Sequence, residues 1–406
     1  MLRSLFSGVS GMRTHQLDMD VIADNIANVN TTGFKASRMT FKEVYSQLLK
    51  GARAPLGNMG GVNPVQVGLG VTTGSTDTLF TQGAPQATGR DTDLSINGNG
   101  FFVLTDGTNR YYTRAGNFTV DSNGSLVYTN GMKVLGWNAK TGVAGAWVID
   151  TNADAEPIDL SRVTSMPPKR TENVSLGGNL SSDPNAPAQV IRSLDIFDSL
   201  GAVHTLQLTF DRQANTNDWD VSASLDGAPS TVSPGSITFD DSGVPDPPAA
   251  PLTVNLAVGW TLSVGWNGMT SNAAESSPSV LTRDGYAPGS LVRFTIDDLG
   301  VIKGVFSNDM TMDLARIALA TFPNQEGLVK QSDTLFTESG NSGPANVDAP
   351  GVGNRGLLIP GFLEMSNVDL SQEFTNLILA QRGFQANSRV ITTSDEMLQE
   401  LMTLKR

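Results

Sequence analysis

The sequence predicts an α+β protein, a mainly β multidomain body of nested β domains with N- and C-terminal α-helices that form a coiled-coil inner domain. Three observations carry this prediction. Apolar residues step by three and four along the first residues of the chain and recur every seventh residue near its end. The long middle reads as short alternating strands rich in glycine, with 42 glycines in the chain. A turn unit built on Asp and Gly recurs there four times. A chain of 406 residues is too long for one ordinary core and implies two to four domains.

The N-terminal helix is read from Leu2, Leu5, Val9, Met12, Met19 and Ile26, with Gln16 and Ala23 in the intervening slots. That spacing is the seam of an amphipathic helix that wants a partner. Asn28, Asn30 and Gly33 end it, and His15 falls on its polar face. Residues 51–74 are Gly-rich and carry one charge, Arg53. They make 29–75 an extended arm or linker.

From about residue 76 short strands alternate. The repeated unit is an apolar or aromatic residue, Asp, two residues, then Gly. It occurs at Val120–Gly124, Phe197–Gly201, Phe239–Gly243 and Ile296–Gly300, and a proline-rich loop from Val244 to Pro251 follows the third. The Asp carboxylate bonds back to the backbone and the Gly supplies a left-handed residue, so each unit closes a β-hairpin.

The C-terminal helix is read from Leu370, Leu377, Phe384, Ile391 and Leu398, a strict heptad whose companion positions Phe374, Gln381, Ser388, Asp395 and Met402 are mixed. Asp369 and Gln372 are spaced as a capping box, and Lys405 and Arg406 sit where the helix dipole favours cations. A long helix with one narrow apolar stripe does not stabilise itself in water. The two helices therefore pack on each other within the chain, and a sharper reading adds packing between subunits.

Composition narrows the function. The formal charge of −13 argues against nucleic acid or an anionic membrane surface as main partner. With no cysteine, disulfides, thiolate metal sites and cysteine nucleophiles are excluded, which suits a chain that crosses compartments. The sequence has no run of 18 apolar residues, so no membrane-spanning helix is expected, and Met1–Gly8 does not read as a cleaved secretory signal. None of the four Asp turns continues into a calcium loop. His15 and His204 are too far apart for a zinc site or a Ser-His-Asp triad. Gly98-Asn99-Gly100 lacks the continuation of a phosphate cradle. The expectation is a non-enzyme with no catalytic, cofactor or metal residues.

Two terminal motifs carry a family resemblance. Leu17-Asp18, Asp24-Asn25-Ile26-Ala27-Asn28 and Thr32-Gly33-Phe34-Lys35 stand at one end. Ser366-Asn367-Val368-Asp369-Leu370, Glu373, Ile378 and the run Ala380-Gln381-Arg382-Gly383-Phe384-Gln385-Ala386-Asn387 stand at the other. Together they resemble the terminal signatures of bacterial flagellar rod and hook proteins. Met1-Leu2-Arg3-Ser4-Leu5 looks rod-like. The middle is similar to the hook-specific domain at Leu194–Gly201, His204, Trp219, Asp284–Gly289, Phe306-Ser307-Asn308, Ala318–Asn324 and Glu326-Gly327-Leu328. Residues 140–190 and 220–275 show little beyond a β pattern.

The resemblance implies a hook subunit that polymerises into a curved, flexible tube and transmits motor torque to the filament as a universal joint. It implies a coiled-coil inner domain from 1–28 and 366–406, the arm at 29–75, an inner β domain split between 76–164 and 286–365, and an outer β domain at 165–285. The eleven seam residues of the two helices, Leu2 to Ile26 and Leu370 to Leu398, would make subunit contacts. The implied partners are further copies of the chain, rod proteins below, hook–filament junction proteins above, the hook cap, and a flagellar type III export apparatus that needs no cleaved signal. Alternatives are a distal rod subunit and, in different classes, a secreted β-rich adhesin or binding module or a β-rich hydrolase.

Overall fold

The computed structural model describes residues 2–55, 60–141, 147–213, 218–246, 251–256 and 259–403, with the side chains of Leu2 and Asn267 left aside. Lys405, Arg406 and the centre of the proline-rich loop lie outside the described residues. The protein is mostly β, with one long helix at each end: α1, Leu2–Ala27, and α2, Leu370–Thr403. The chain forms two compact units. One comprises Met1–Arg162, Thr295–Lys303 and Asp313–Arg406; the other comprises Val163–Phe294 and Gly304–Met312.

Local chemistry sets the start of α2. The Asp369 carboxylate accepts from the backbone N–H of Ser371 (2.8 Å) and Gln372 (3.3 Å). The reciprocal half of the capping box is not made, because the Gln372 amide donates to Asn376 Oδ1 one turn on (3.1 Å).

The segment expected as an extended arm or linker is a two-stranded antiparallel ribbon. Strand β1 (Ser37–Glu43) and β2 (Ser46–Lys50) run out, and β3 (Val65–Gly68) and β4 (Val71–Thr78) run back. Pairing runs from Ser37↔Thr78 to Glu43↔Val71 and continues from Ser46↔Gly68 to Lys50↔Val65. One glycine of this Gly-rich segment is a contact point. Gly70 has φ +114°, and a Cβ on it would lie 2.4 Å from Ser10 Oγ on α1.

The β core of the first unit is built on Phe101–Thr105, hairpin-paired with Arg110–Thr113 on one side and with Lys133–Asn138 on the other. It buries Phe101, Val103, Tyr112, Leu135, Phe322, Leu328 and Phe336. Edge-to-face rings at 4.8 Å (Tyr112–Phe322) and 5.4 Å (Phe80–Phe101) lock the packing.

In the second unit the sheet order by residue range is 189–197, 203–212, 219–225, 228–233, 252–255, 261–270, 173–179 and 279–283. One pair in it is parallel, Asn173–Asn179 with Thr261–Thr270. Its core gathers around Trp219, Phe210, Leu206, Leu208, Leu262 and Trp266. This unit extends past 285, where the sequence ended the outer domain. Ser290 and Gly289 pair with Ser165 and Met166, and Asn308 Nδ2 donates to Ala287 O (2.8 Å), which draws the turn at 304–312 in.

All four Asp–Gly units form the same turn. In each, one carboxylate oxygen of Asp121, Asp198, Asp240 or Asp297 accepts from the backbone N–H two and four residues on, at 2.7–3.1 Å. The closing glycines have φ between +72° and +84°.

Candidate assembly faces and the helix–body junction

The helices α1 and α2 run antiparallel in contact. Ser4 meets Ser394 (3.5 Å), a Cβ on Gly8 would sit 3.2 Å from Ile391 Cγ1, one on Gly11 2.7 Å from Asn387 Nδ2, and one on Gly383 2.5 Å from His15 Nε2. The line of contact is therefore a row of small residues, with Gly8, Gly11, Thr14, Ala380 and Ser394 all buried. Backbones approach where side chains are absent. His15, expected on the polar face, turns inward because Gly383 leaves room for its ring, which stacks tilted on Phe41 at 5.3 Å.

The apolar stripes read from the sequence flank this line. Leu5, Met12, Met19, Ile26, Leu377, Phe384, Ile391 and Leu398 are half-buried, while Val9, Leu370, Gln16 and Ala23 are exposed. Of these residues Ile391 reaches the line itself, opposite Gly8. Leu370, Phe374 and Ile378, named singly in the sequence but not as one face, form an exposed row on α2 at four-residue spacing, joined by Leu379 at 64 % exposure. On α1, Phe6 is 71 % exposed and Leu17 49 %. The signal was present: i, i+4 apolar repeats on a second face.

Glu373 at the start of α2 lies beside Asn25 of α1. Burial, with the nearby Asp18 and Asp369 carboxylates, pushes its carboxyl above the ordinary range. Burial also raises Asp18, with His15 opposing.

The motif residues converge on a different place, the junction where the chain leaves and re-enters the helices. Asn25 clamps Ser37 from both sides, donating to its carbonyl (2.8 Å) and accepting from its N–H (2.9 Å). Gly33 has φ +69°, and a Cβ on it would fall 2.4 Å from Ala115 N. Its N–H donates to Glu364 O (2.7 Å). Lys35 Nζ donates to Glu364 Oε1 (2.6 Å) and to Thr81 O (2.7 Å). Arg114 Nη1 lies 3.5 Å from Glu364 Oε2. These three side chains are at most 2 % exposed. Burial lowers the pKa of both cations and Glu364 opposes the shift. Asn367 Nδ2 donates to Leu79 O (2.8 Å), and its Oδ1 accepts from Ala36 N–H (2.8 Å). Among the other motif positions, Phe34 is buried under the Lys330 ammonium (4.2 Å to the ring), Asn28 Nδ2 binds Asp24, and Ser366 Oγ accepts from Val368 N–H. Ala27, Gln381 and Arg382 are exposed. The sequence pointed to Lys35 and Asn367 but not to Glu364 or Arg114.

Four family models match the chain. Residues 5–35 match the flagella basal body rod protein model, 95–164 the flagellar hook protein FlgE/F/G D1 domain, 178–286 the flagellar basal body protein FlaE D2 domain, and 359–404 the flagellar basal body rod FlgEFG protein C-terminal model. The chain is 41 % identical to the flagellar hook protein FlgE of Borreliella burgdorferi, over 100 % of both chains. It is 40 % identical to FlgE of Treponema pallidum, again over 100 % of both. The chain belongs to the flagellar hook protein family. Within the wider rod and hook group, the flagellar basal-body rod protein FlgG of Bacillus subtilis is 33 % identical over 100 % of both chains. The two terminal models of this hook-family chain end and begin at the junction: one stops at Lys35 and the other takes in Glu364 and Asn367.

Proposed function

We propose that this chain is the structural subunit of a bacterial flagellar hook. The observation that carries the reading is full-length identity of 41 % and 40 % to two flagellar hook proteins. In this reading the subunits polymerise by a repeated head-to-tail contact that does not close, which gives an open helical tube. The half-buried stripes Leu5, Met12, Met19, Ile26, Leu377, Phe384, Ile391 and Leu398, with Leu2, Val9 and Leu370, supply lasting contacts between helices of neighbouring subunits. The exposed Phe374 and Ile378 extend that face. Polar, glycine-rich β surfaces supply the contacts that slide as the tube bends, because wet interfaces of modest area exchange at low cost. The tube is curved and flexible and passes torque from motor to filament.

The same reading makes the chain a non-enzyme of the extracellular part of the flagellum, exported through the flagellar type III apparatus without a cleaved signal. Its neighbours are copies of itself, rod proteins, the hook cap and the hook–filament junction proteins. A second reading, a distal rod subunit, draws on the 33 % identity to FlgG. Electron microscopy of basal bodies from a deletion strain separates the two. Complete rods without hooks are expected; rods that stop short would overturn the hook reading in favour of the rod.

A further inference from the structure

We propose that Glu364, with Lys35, Arg114 and Asn367, forms a positioning cluster that fixes the helix pair rigidly to the β core of the first unit. Its use, passing torque from helices to body, rests on the hook reading; its rigidity does not. Three stretches of chain meet here: 33–37 leaving α1, 79–84 returning from the ribbon, and 362–367 leading into α2. Glu364 ties all three. Its carbonyl holds Gly33, and its Oε1 takes Lys35 Nζ and Gly83 N–H (2.8 Å). The strand it ends, Phe362–Glu364, pairs antiparallel with Pro85–Ala87. Lys35 in turn reaches Thr81 O, and Asn367 repeats the tie one turn of chain later through Ala36, Leu79 and Thr81. Arg114, whose Nη1 also donates to Gly98 O (2.9 Å), anchors the cluster to the β core.

Stability alone does not explain this chemistry. Taking two cations and one carboxylate out of water is costly, and buried ion clusters are often replaced by apolar residues without loss. Fixed charge-assisted bonds at several points do give direction that apolar packing lacks. Asn25 and Gly33 complete the effect by holding the exit of α1 against Ser37 and Ala115. With every passage pinned, the helix pair has no swivel.

The chain has no cysteine, so an introduced pair reports alone. Spin labels at Gln16→Cys on α1 and Thr108→Cys on an exposed turn of the β core give the distance distribution between helices and body in the dispersed full chain. A single narrow distance is expected with the cluster intact. In the triple variant Lys35→Met, Arg114→Met, Glu364→Leu that narrow peak should be lost while amide protection at Phe101–Leu104 persists. Asn367→Ala keeps the ion cluster, removes the second tie and should broaden the distribution in part; it decides the matter if the triple variant does not fold. A broad distribution in the unaltered cluster, or an unchanged width in the folded variants, overturns the proposal. No polymer is needed, so a failure of the hook reading leaves this result readable.

Discussion

The glycine at the centre of the helix contact should behave as a steric requirement, and Gly383→Ala tests it. Exchanging Gly for Ala inside a helix normally gains about 1 kcal/mol. Here the new methyl would lie 2.5 Å from His15 Nε2 and 2.6 Å from Cε1. Moving the ring would disturb its packing on Phe41, 5.3 Å away between centroids. Overpacking of this kind costs about 1–3 kcal/mol. The balance is a net loss of about 1 kcal/mol, read as faster opening of α2 amides by native-state hydrogen exchange. The sign should reverse in a His15→Ala background, where the obstacle is gone and the propensity gain of about 1 kcal/mol remains. The double-mutant cycle then gives a coupling of about 2 kcal/mol. If Gly383→Ala stabilised α2 equally in both backgrounds, the small-residue seam would be wrong.

Acidification should tighten the same helix pair. The folded carboxyl of Glu373 is raised, so the folded state holds more protons, and stability rises as pH falls from neutral and levels off below the ordinary glutamate value of 4.5. Hydrogen exchange of α1 amides across that range should show the trend, and Glu373→Gln should reduce it, leaving the part due to Asp18, whose carboxyl is also raised; a slope unchanged by the substitution would refute the role of Glu373. Phe384→Asp should stop polymerisation with the β core intact, since a charge in the packed face costs several kcal/mol, about the scale of an unpaired buried ion. Tubes of normal form in negative stain would refute the assigned face. A segment spanning 163–312 should unfold in one cooperative transition, and Trp219→Ala, at a fully buried site, should remove about 3–5 kcal/mol of its stability. A broad, non-cooperative melt would show that the unit depends on the rest of the chain.

What the sequence made legible was local. Both helices and all four Asp–Gly turns depend on neighbours within a few residues, and they appear where spacing placed them. The alternation Val65, Val67, Leu69, Val71 marked the returning strands of the ribbon, but surrounding glycines masked it. Within the chain the helices touch at Gly8, Gly11 and Gly383, each one residue before a stripe residue that the sequence named (Val9, Met12, Phe384), while the stripe residue Ile391 faces Gly8 directly. Glycine inside a helix is unfavourable, so Gly8, Gly11 and Gly383 were themselves evidence of close approach. Glu364 was invisible for a different reason. Its partner Lys35 is 329 positions away, and an acidic residue in a short strand has no local pattern that distinguishes buried from exposed.

The ribbon has a practical consequence for the chain as an object. Lys42, Lys50 and Arg53 lie exposed on it, and an isolated two-stranded ribbon is only marginally stable. A cut after Lys50 would leave a fragment of residues 1–50 that keeps α1, β1 and β2. That piece is still held by α2, by the pairing of β1 with β4, and by the Lys35–Glu364 bond. The ribbon is thus a natural place to divide the molecule into two complementing halves, or to insert a reporter, with both helices still anchored.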